Sequence, residues 1–385
     1  MTLTVLVNAG PWVRVPPSGY GGIEAVVATL VPELRALGVR VVLASVEGST
    51  LEVDELITPL REPRLSDIAR PYNAVSGIAH AHMQGVVDHL RRTPDVDLVH
   101  DHLEVVGPAI LAAMGRAAPP TLQTLHWDMA KHPDFYGSFD GGGRVAFAAV
   151  SQSQLERAPQ AVRSQTLGVV PLAAPMVDPL PDVEAGDHAL VLARITADKG
   201  QDIAARVCRR AGVPLVLAGP VAGVDDPAKL RRLLASDPSL AEHPDVRYFT
   251  EQVEPLIDGD TVRWVGGVQG EAKERLLQSA RVLLATNRWA EPGATGVVEA
   301  LGRGVPVVAT SLGVLPSLVR HGVTGYLADS EDALVEALLK LDDLDRTACR
   351  AGGAAWTPRD MAQAYVSLYD QLLANSSSRP LAAAP

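Results

Sequence analysis

Short, near-continuous apolar runs recur along this chain, with helical patterns between them. "LTVLV" (3–7), "VRVVLAS" (39–45), "DLVH" (97–100), "TLQTLH" (121–126), "VAFAAVS" (145–151) and "LGVVPL" (167–172) come first. After the Pro- and Asp-rich stretch "AAPMVDPLPDVEAGD" the rhythm restarts with "ALVLAR" (189–194), "VPLVLAG" (213–219), "TVRWVGG" (261–267), "RVLLAT" (281–286) and "VPVVAT" (305–310). Strands that do not alternate apolar with polar are buried on both faces, as in parallel sheets covered by helices. The class predicted is therefore α/β, with two doubly wound parallel-sheet (Rossmann-like) domains joined by a linker and facing across a cleft. The length of 385 residues fits two domains of ordinary size. The boundaries expected are 1–172 and 186–358, followed by an amphipathic helix at 359–374 and a disordered tail at 375–385. No fixed-period repeat is visible.

Composition narrows the function. A net charge of −11 argues against a general nucleic-acid binder, which needs concentrated Lys and Arg to neutralise phosphates. Cys208 and Cys349 are the only cysteines, so there is neither a disulfide framework nor a paired-cysteine metal knuckle. No apolar stretch approaches the roughly 18–20 residues that span a bilayer. The N-terminus runs straight into a strand without the features of a signal peptide. The expected location is cytoplasmic, with peripheral attachment at the inner face of the membrane left open. The Ala, Val, Arg and Pro bias suggests a bacterial gene.

In open parallel sheets, ligands sit beyond the carboxyl ends of the strands. After the first run, "SGYGGIEAVV" places Gly21 and Gly22 before a helix whose free N–H groups favour an anion. The G-x-G-x-x-G fingerprint is absent, which weighs against a dinucleotide dehydrogenase. His126 ends another run. His80, His82, His100 and His102 are numerous enough to suggest a metal, but their spacing matches no ligand set, and no metal is expected. In the second half, "LARITADKGQD" puts Arg194 at a strand end and Lys199 five positions on, a pair suited to a diphosphate. "EPGATGVVEALGRGVPVVA" puts Glu291 in the loop before a helix and Glu299 within it. A carboxylate of this kind commonly holds the vicinal hydroxyls of a ribose. The small residues Gly293, Ala294 and Thr295 let backbone N–H groups approach a sugar or phosphate.

Taken in order, Gly21-Gly22, His126, Arg194 with Lys199-Gly200, Glu291-x7-Glu299 and "GRGVPVVAT" resemble the retaining glycosyltransferases of family 4, which have the GT-B fold. The likeness extends over most of the chain. "AAVSQS", "VRWVGGV" and "LVRHGVTGYLADSEDALVEAL" are similar to secondary features of that family, and the final helix to one that crosses back to the first domain. The resemblance implies transfer of a hexosyl-type sugar from a nucleotide-diphosphate sugar to an acceptor hydroxyl, with retention and without metal or cofactor. It implies that Arg194 and Lys199 neutralise the diphosphate, Glu299 holds the ribose, and Glu291 contacts the donor sugar. His126 would face the reacting carbon, and Gly22 would close over the distal phosphate.

One departure concerns the donor sugar. The family usually carries an aromatic such as Phe after the Glu-Pro, where this chain has Gly293, Ala294 and Thr295. Ala294 replaces a glycine and is expected to donate its N–H provided its φ is negative. The nucleotide that the resemblance implies is of UDP, GDP or ADP type. The acceptor expected is a small molecule or a carbohydrate, a lipid-linked acceptor being the other choice; the resemblance implies that "KHPDFYGSFDGGGR" (131–144) lies where acceptors bind. Competing functions are a GT-B nucleotide-sugar epimerase or hydrolase, and a nucleotide-sugar-binding protein without catalysis.

Overall fold

The computed structural model describes residues 2–67, 72–175 and 177–378. Two compact units emerge. The first takes in the chain up to Pro17, Gly21–Ala173 and the terminal helix from Pro358; the second takes in Ser18–Tyr20 and Ala174–Thr357.

In the first unit, β1 (Thr4–Asn8), β2 (Arg40–Val46), β3 (Glu55–Leu60), β4 (Leu98–Asp101), β5 (Thr121–Leu125), β6 (Val145–Ala149) and β7 (Thr166–Val169) form one sheet. The order is β3-β2-β1-β4-β5-β6-β7, and every pairing is parallel. All five residues of β1, β5 and β6 are buried, as strands covered by helices on both faces are, including the polar Thr121, Gln123 and Thr124 of β5. On one face Val5, Val7, Leu43 and Leu122 pack with Leu30 and Leu34 of α1 (Gly22–Ala36) and with Tyr365 and Tyr369 of the terminal helix. On the other, Leu6, Val42 and Phe147 pack with Met83 and Val86 of α2 (Tyr72–Arg92) and Leu111 of α3 (Val106–Met114).

The second unit repeats the plan. Strands β8 (Ala189–Leu192), β9 (Leu215–Ala218), β10 (Val262–Trp264), β11 (Val282–Ala285), β12 (Val307–Ala309) and β13 (Gly325–Leu327) lie in the order β10-β9-β8-β11-β12-β13, all parallel. One face carries α4 (Gln201–Ala211), which shares a core with Leu334, Ala337 and Leu338 from the helix Glu331–Leu339. The other carries Leu277 of α5 (Gly270–Ser279) and Val297, Val298 and Leu301 of α6 (Thr295–Gly302).

Two strands lack the apolar signature. β3 is an edge strand whose residues alternate in exposure and include Pro59, a residue tolerated at sheet edges. β13 has three residues and sits at the other sheet's edge. The terminal helix runs from Pro358 to Ser378, so the stretch expected to be a tail begins with about one further helical turn. Its last seven residues, 379–385, lie outside the described residues. Among the described residues, no helix is long and apolar enough to cross a membrane.

Helix α4 is bracketed by two left-handed glycines, Gly200 at φ 67° before it and Gly212 at φ 67° after it. Their surroundings differ. A Cβ on Gly212 would meet nothing within 4 Å, whereas one on Gly200 would lie 2.2 Å from the backbone oxygen of Thr286. Gly212→Ala is therefore expected to cost about 1–2 kcal/mol, the penalty of a left-handed L-residue. Gly200→Ala adds a backbone collision to the same penalty, and urea unfolding should place its midpoint clearly below that of Gly212→Ala. Equal midpoints would mean that Thr286 yields freely.

Candidate functional site

The second sheet reverses its winding between β8 and β11, which lie side by side with Val282 opposite Ala189 and Leu283 opposite Leu190. The chain leaves β8 for α4 on one face and β11 for α6 on the other. Diverging helices open a crevice at the carboxyl ends of these two strands, the usual ligand position in such sheets. Arg194, Lys199, Glu291 and the start of α6 all fall on the two loops that rim it.

The loops are tied together. Gly200 abuts Thr286, whose hydroxyl donates to the carbonyl of Gly200 at 2.8 Å. Arg288 forks onto Asp202, Nη1 to Oδ1 at 2.7 Å and Nη2 to Oδ2 at 2.6 Å, and its Nη1 also reaches the carbonyl of Ala197 at 3.1 Å. Burial alone would raise the Asp202 carboxyl. The Arg288 fork, the Tyr248 hydroxyl and Arg206 outweigh burial and hold it well below the ordinary carboxylate range.

The Lys199 ammonium donates to Oε2 of Glu291, and the same oxygen accepts from Nδ2 of Asn287 at 2.8 Å. Lys199 also lies 5.7 Å from the centre of the Trp289 ring. Glu291 is buried and sits in the loop, and Glu299 lies inside α6, as their spacing predicts. Both oxygens of Glu299 meet Nζ of Lys273, from α5, at 2.8 and 2.7 Å. Arg194 follows β8 and forms no ion pair among the described residues; its guanidinium lies 5.4 Å from the centre of the Tyr20 ring. Gly293 is buried, and Thr295 opens α6.

Ala294 departs from expectation. Its φ is +49° and ψ 50°, so the condition of a negative φ set for its N–H to donate is not met. It holds the left-handed conformation usually left to glycine, at a cost of about 1–2 kcal/mol. That strain sits at the N-cap of α6, between Glu291 and Glu299, where strained backbone commonly marks a functional loop.

In the first unit, His126 follows β5 and its Nε2 lies 2.7 Å from Nδ1 of His102, which follows β4. Lost hydration lowers the His126 pKa to about 3 and pushes His102 well below its usual value. Beneath them, His100 Nε2 lies 2.8 Å from Thr124 Oγ1, and His100 Nδ1 lies 2.7 Å from the Tyr369 hydroxyl. His82 bonds Asn8, and exposed His80 bonds its own helix. Among the described residues, no group of three or more His, Cys, Asp and Glu is placed to hold a metal.

Gly21 caps α1, where a Cβ would lie 2.7 Å from Pro17, and Gly22 is the exposed first residue of the helix. The sequence pattern does not anticipate Glu24. This side chain is buried in the first turn, and burial raises its pKa to about 7 against the pull of hydrogen bonds from its own backbone N–H and that of Val13. The helix start assigned to an anion therefore already holds a carboxyl group. Asn287, Arg288 and Lys273 are likewise absent from the sequence-based candidates. Asn287 and Arg288 do share the loop after β11 with Glu291, which is the one signal that pointed near them.

Residues 20–162 match the family model described as Glycosyltransferase Family 4, and residues 182–355 match the model described as Glycosyl transferases group 1. A D-inositol 3-phosphate glycosyltransferase of Streptomyces scabiei is 26% identical over 307 residues, covering 72% of this chain and 66% of the relative. The chain thus aligns to just under two thirds of that relative's length. Among solved structures, AviGT4, a glycosyltransferase involved in avilamycin A biosynthesis, is 26% identical with a TM-score of 0.65, over 97% of this chain and 98% of that one. Anabaena HepE, solved with UDP-glucose, shares the fold at 16% identity and a TM-score of 0.66, over 96% and 100% of the two chains. With both models matched in order on two parallel-sheet units, the chain belongs to the GT-B glycosyltransferases of the family-4 type.

Proposed function

We propose that this protein transfers a sugar from a nucleotide-diphosphate sugar to an acceptor hydroxyl, with retention of configuration and without a metal. One observation carries the reading: Lys199 and Glu291 meet at the crevice between β8 and β11, beside the strained start of α6. Breaking a glycosyl–phosphate bond leaves negative charge on the diphosphate and positive charge on the sugar carbon. Arg194 and Lys199 are fixed cations suited to the first, and the free N–H groups of α6 add to them. Lys199 carries three donors, so it can keep its bond to Glu291 and still reach a phosphate oxygen.

Glu291 spends Oε2 on Lys199 and Asn287. Its Oε1 takes no protein hydrogen bond among the described residues and is not sealed from solvent, so it can accept from a sugar hydroxyl. Glu299, held by Lys273, is assigned to the ribose hydroxyls, each of its oxygens having a second lone pair. His126 is assigned to the donor sugar. Gly293, with no side chain where the family has an aromatic, leaves room beside that sugar. A small hydroxyl-bearing acceptor is favoured, supported by the relative named for D-inositol 3-phosphate. Screening UDP-, GDP- and ADP-sugars by thermal shift, then by product formation, tests the reading. It fails if no nucleotide-sugar is bound or turned over.

Three outcomes follow from these roles. Lys199→Ala should lower kcat/KM by about 2.7–4 kcal/mol, the loss seen when one donor to a developing anion is removed. Near-normal turnover at saturating donor would remove Lys199 from the diphosphate. Turnover in excess EDTA should equal that in magnesium, because the cations are supplied by side chains; activity abolished by EDTA and restored by a divalent ion contradicts this. Glu299→Gln keeps the shape but loses the charge, so free nucleotide should bind about 1.5–3 kcal/mol more weakly. Calorimetry on folded wild type and variant decides: equal affinity for the free nucleotide means that Glu299 does not hold the ribose.

A further inference from the structure

His102 is fully enclosed, and only one of its ring nitrogens finds a partner. Nδ1 faces Nε2 of His126 at 2.7 Å, while Nε2 of His102 has no hydrogen bond among the described residues. The two rings are nearly parallel, 25° apart with centroids 5.1 Å apart, and the His100 ring lies tilted by 39° against His102 with centroids 4.2 Å apart. A single proton lies between the two facing nitrogens, and its owner decides what His126 presents outward.

Three arrangements exist. A charged pair, with the extra proton on His102 or on His126, would bury a cation against neighbouring histidine rings with no carboxylate paired to it among the described residues, which is costly. If His126 donates from Nε2, then neutral His102 must carry its own proton on Nε2, leaving a buried N–H with no acceptor. If His102 donates from Nδ1, its Nε2 keeps only a lone pair, and what remains unmet is an acceptor. Orphaned buried N–H groups are the rarer defect in folded proteins. The neighbouring bonds follow a consistent direction of their own: Tyr369 can donate to His100 Nδ1, His100 Nε2 to Thr124, and Thr124 donates to Tyr365 at 2.9 Å. Nothing in that chain competes for His102.

We infer that His102 is a positioning residue for His126: by donating from Nδ1 it fixes the His126 ring and leaves the His126 proton on Nδ1, which has no hydrogen-bond partner among the described residues and is not sealed from solvent. His126 then presents a neutral hydrogen-bond donor rather than a base. Lost hydration, which lowers the pKa of both rings, keeps the donor uncharged at neutral pH. The inference rests on the proposed role of His126 toward the donor sugar only for its catalytic consequence, not for the tautomer itself.

Long-range proton–nitrogen-15 correlation spectra of the full-length wild-type protein at neutral pH should show His126 neutral, with its proton on Nδ1. A His126 protonated on Nε2, or charged, overturns the inference whatever the activity. In His102→Asn the side-chain amide puts an N–H where Nδ1 stood, and the Nδ1–H form of His126 should persist. In His102→Leu the ring should pass to the Nε2–H form that a free histidine side chain prefers. Sugar transfer should fall about a hundredfold in His102→Leu, the scale of a lost proton-bearing group, and be largely rescued in His102→Asn. Tautomers that follow this pattern with unchanged rates would keep His102 in its positioning role and remove His126 from the reaction. The wild-type spectrum decides the tautomer even if a variant fails to fold.

Discussion

Everything distinctive about the second unit depends on β8 and β11 being hydrogen-bonded neighbours while their helices leave on opposite faces. Parallel pairing aligns the two carboxyl ends, so loops ninety residues apart in sequence exit at the same level. Close approach then fixes their spacing. Gly200 can lie against the Thr286 carbonyl only because it has no Cβ, and the left-handed turn it adopts aims Lys199 across the gap toward Glu291. The Arg288–Asp202 fork closes the loops from the other side, so the Lys199–Glu291 distance is set at two independent points.

This arrangement is a poor way to gain stability. Three carboxylates, Asp202, Glu291 and Glu299, are buried or nearly so, and each is held by a cation. Desolvating such pairs costs about as much as their attraction returns, and Ala294 adds backbone strain between two of them. The gain is geometric. A carboxylate anchored by a lysine cannot swing away, so no reorganisation is needed when charge develops at a neighbouring ligand. The offsetting stabilisation lies below, where strands with fully buried side chains pack under helices on both faces.

Local pattern carried most of the fold and the outline of the site. Unbroken apolar runs marked the central strands, and the Glu291–Glu299 spacing located a loop followed by a helix, because both are features of a few adjacent residues. What could not be read was pairing at long range. Lys199 meets Glu291 across 92 positions, Arg288 meets Asp202 across 86, and neither identity nor spacing says which charges will meet. Lys273 looked like an ordinary helix residue because its partner is on another helix. The edge strand β3 escaped because exposure on one side breaks its apolar run, and β13 because it is only three residues long. The left-handed Ala294 could not be foreseen either, since alanine ordinarily avoids that region and only the surrounding loop forces it there.

The two units share a topology yet use the same place in opposite ways. In the first sheet the winding reverses between β1 and β4, and there Asn8 donates from Nδ2 to Asp101 Oδ1 at 2.7 Å while its Oδ1 meets His82. Gly107 lies so close that a Cβ would sit 2.1 Å from Oδ2 of Asp101. The crevice is plugged by its own side chains. Burial raises the Asp101 carboxyl to about 7 against the bonds from Leu103 and Asn8, and the plug of Asn8, Asp101 and His82 brings no lysine or arginine. A ligand cannot use a crevice that is already filled. The polar groups still reachable in this sheet are therefore displaced one strand along, to the end of β5, where His126 stands on His102. Duplicating one α/β plan thus yields two different surfaces: a cation-bearing rim where glycine lets two loops close on one another, and an imidazole beside a switch point that asparagine and aspartate have closed.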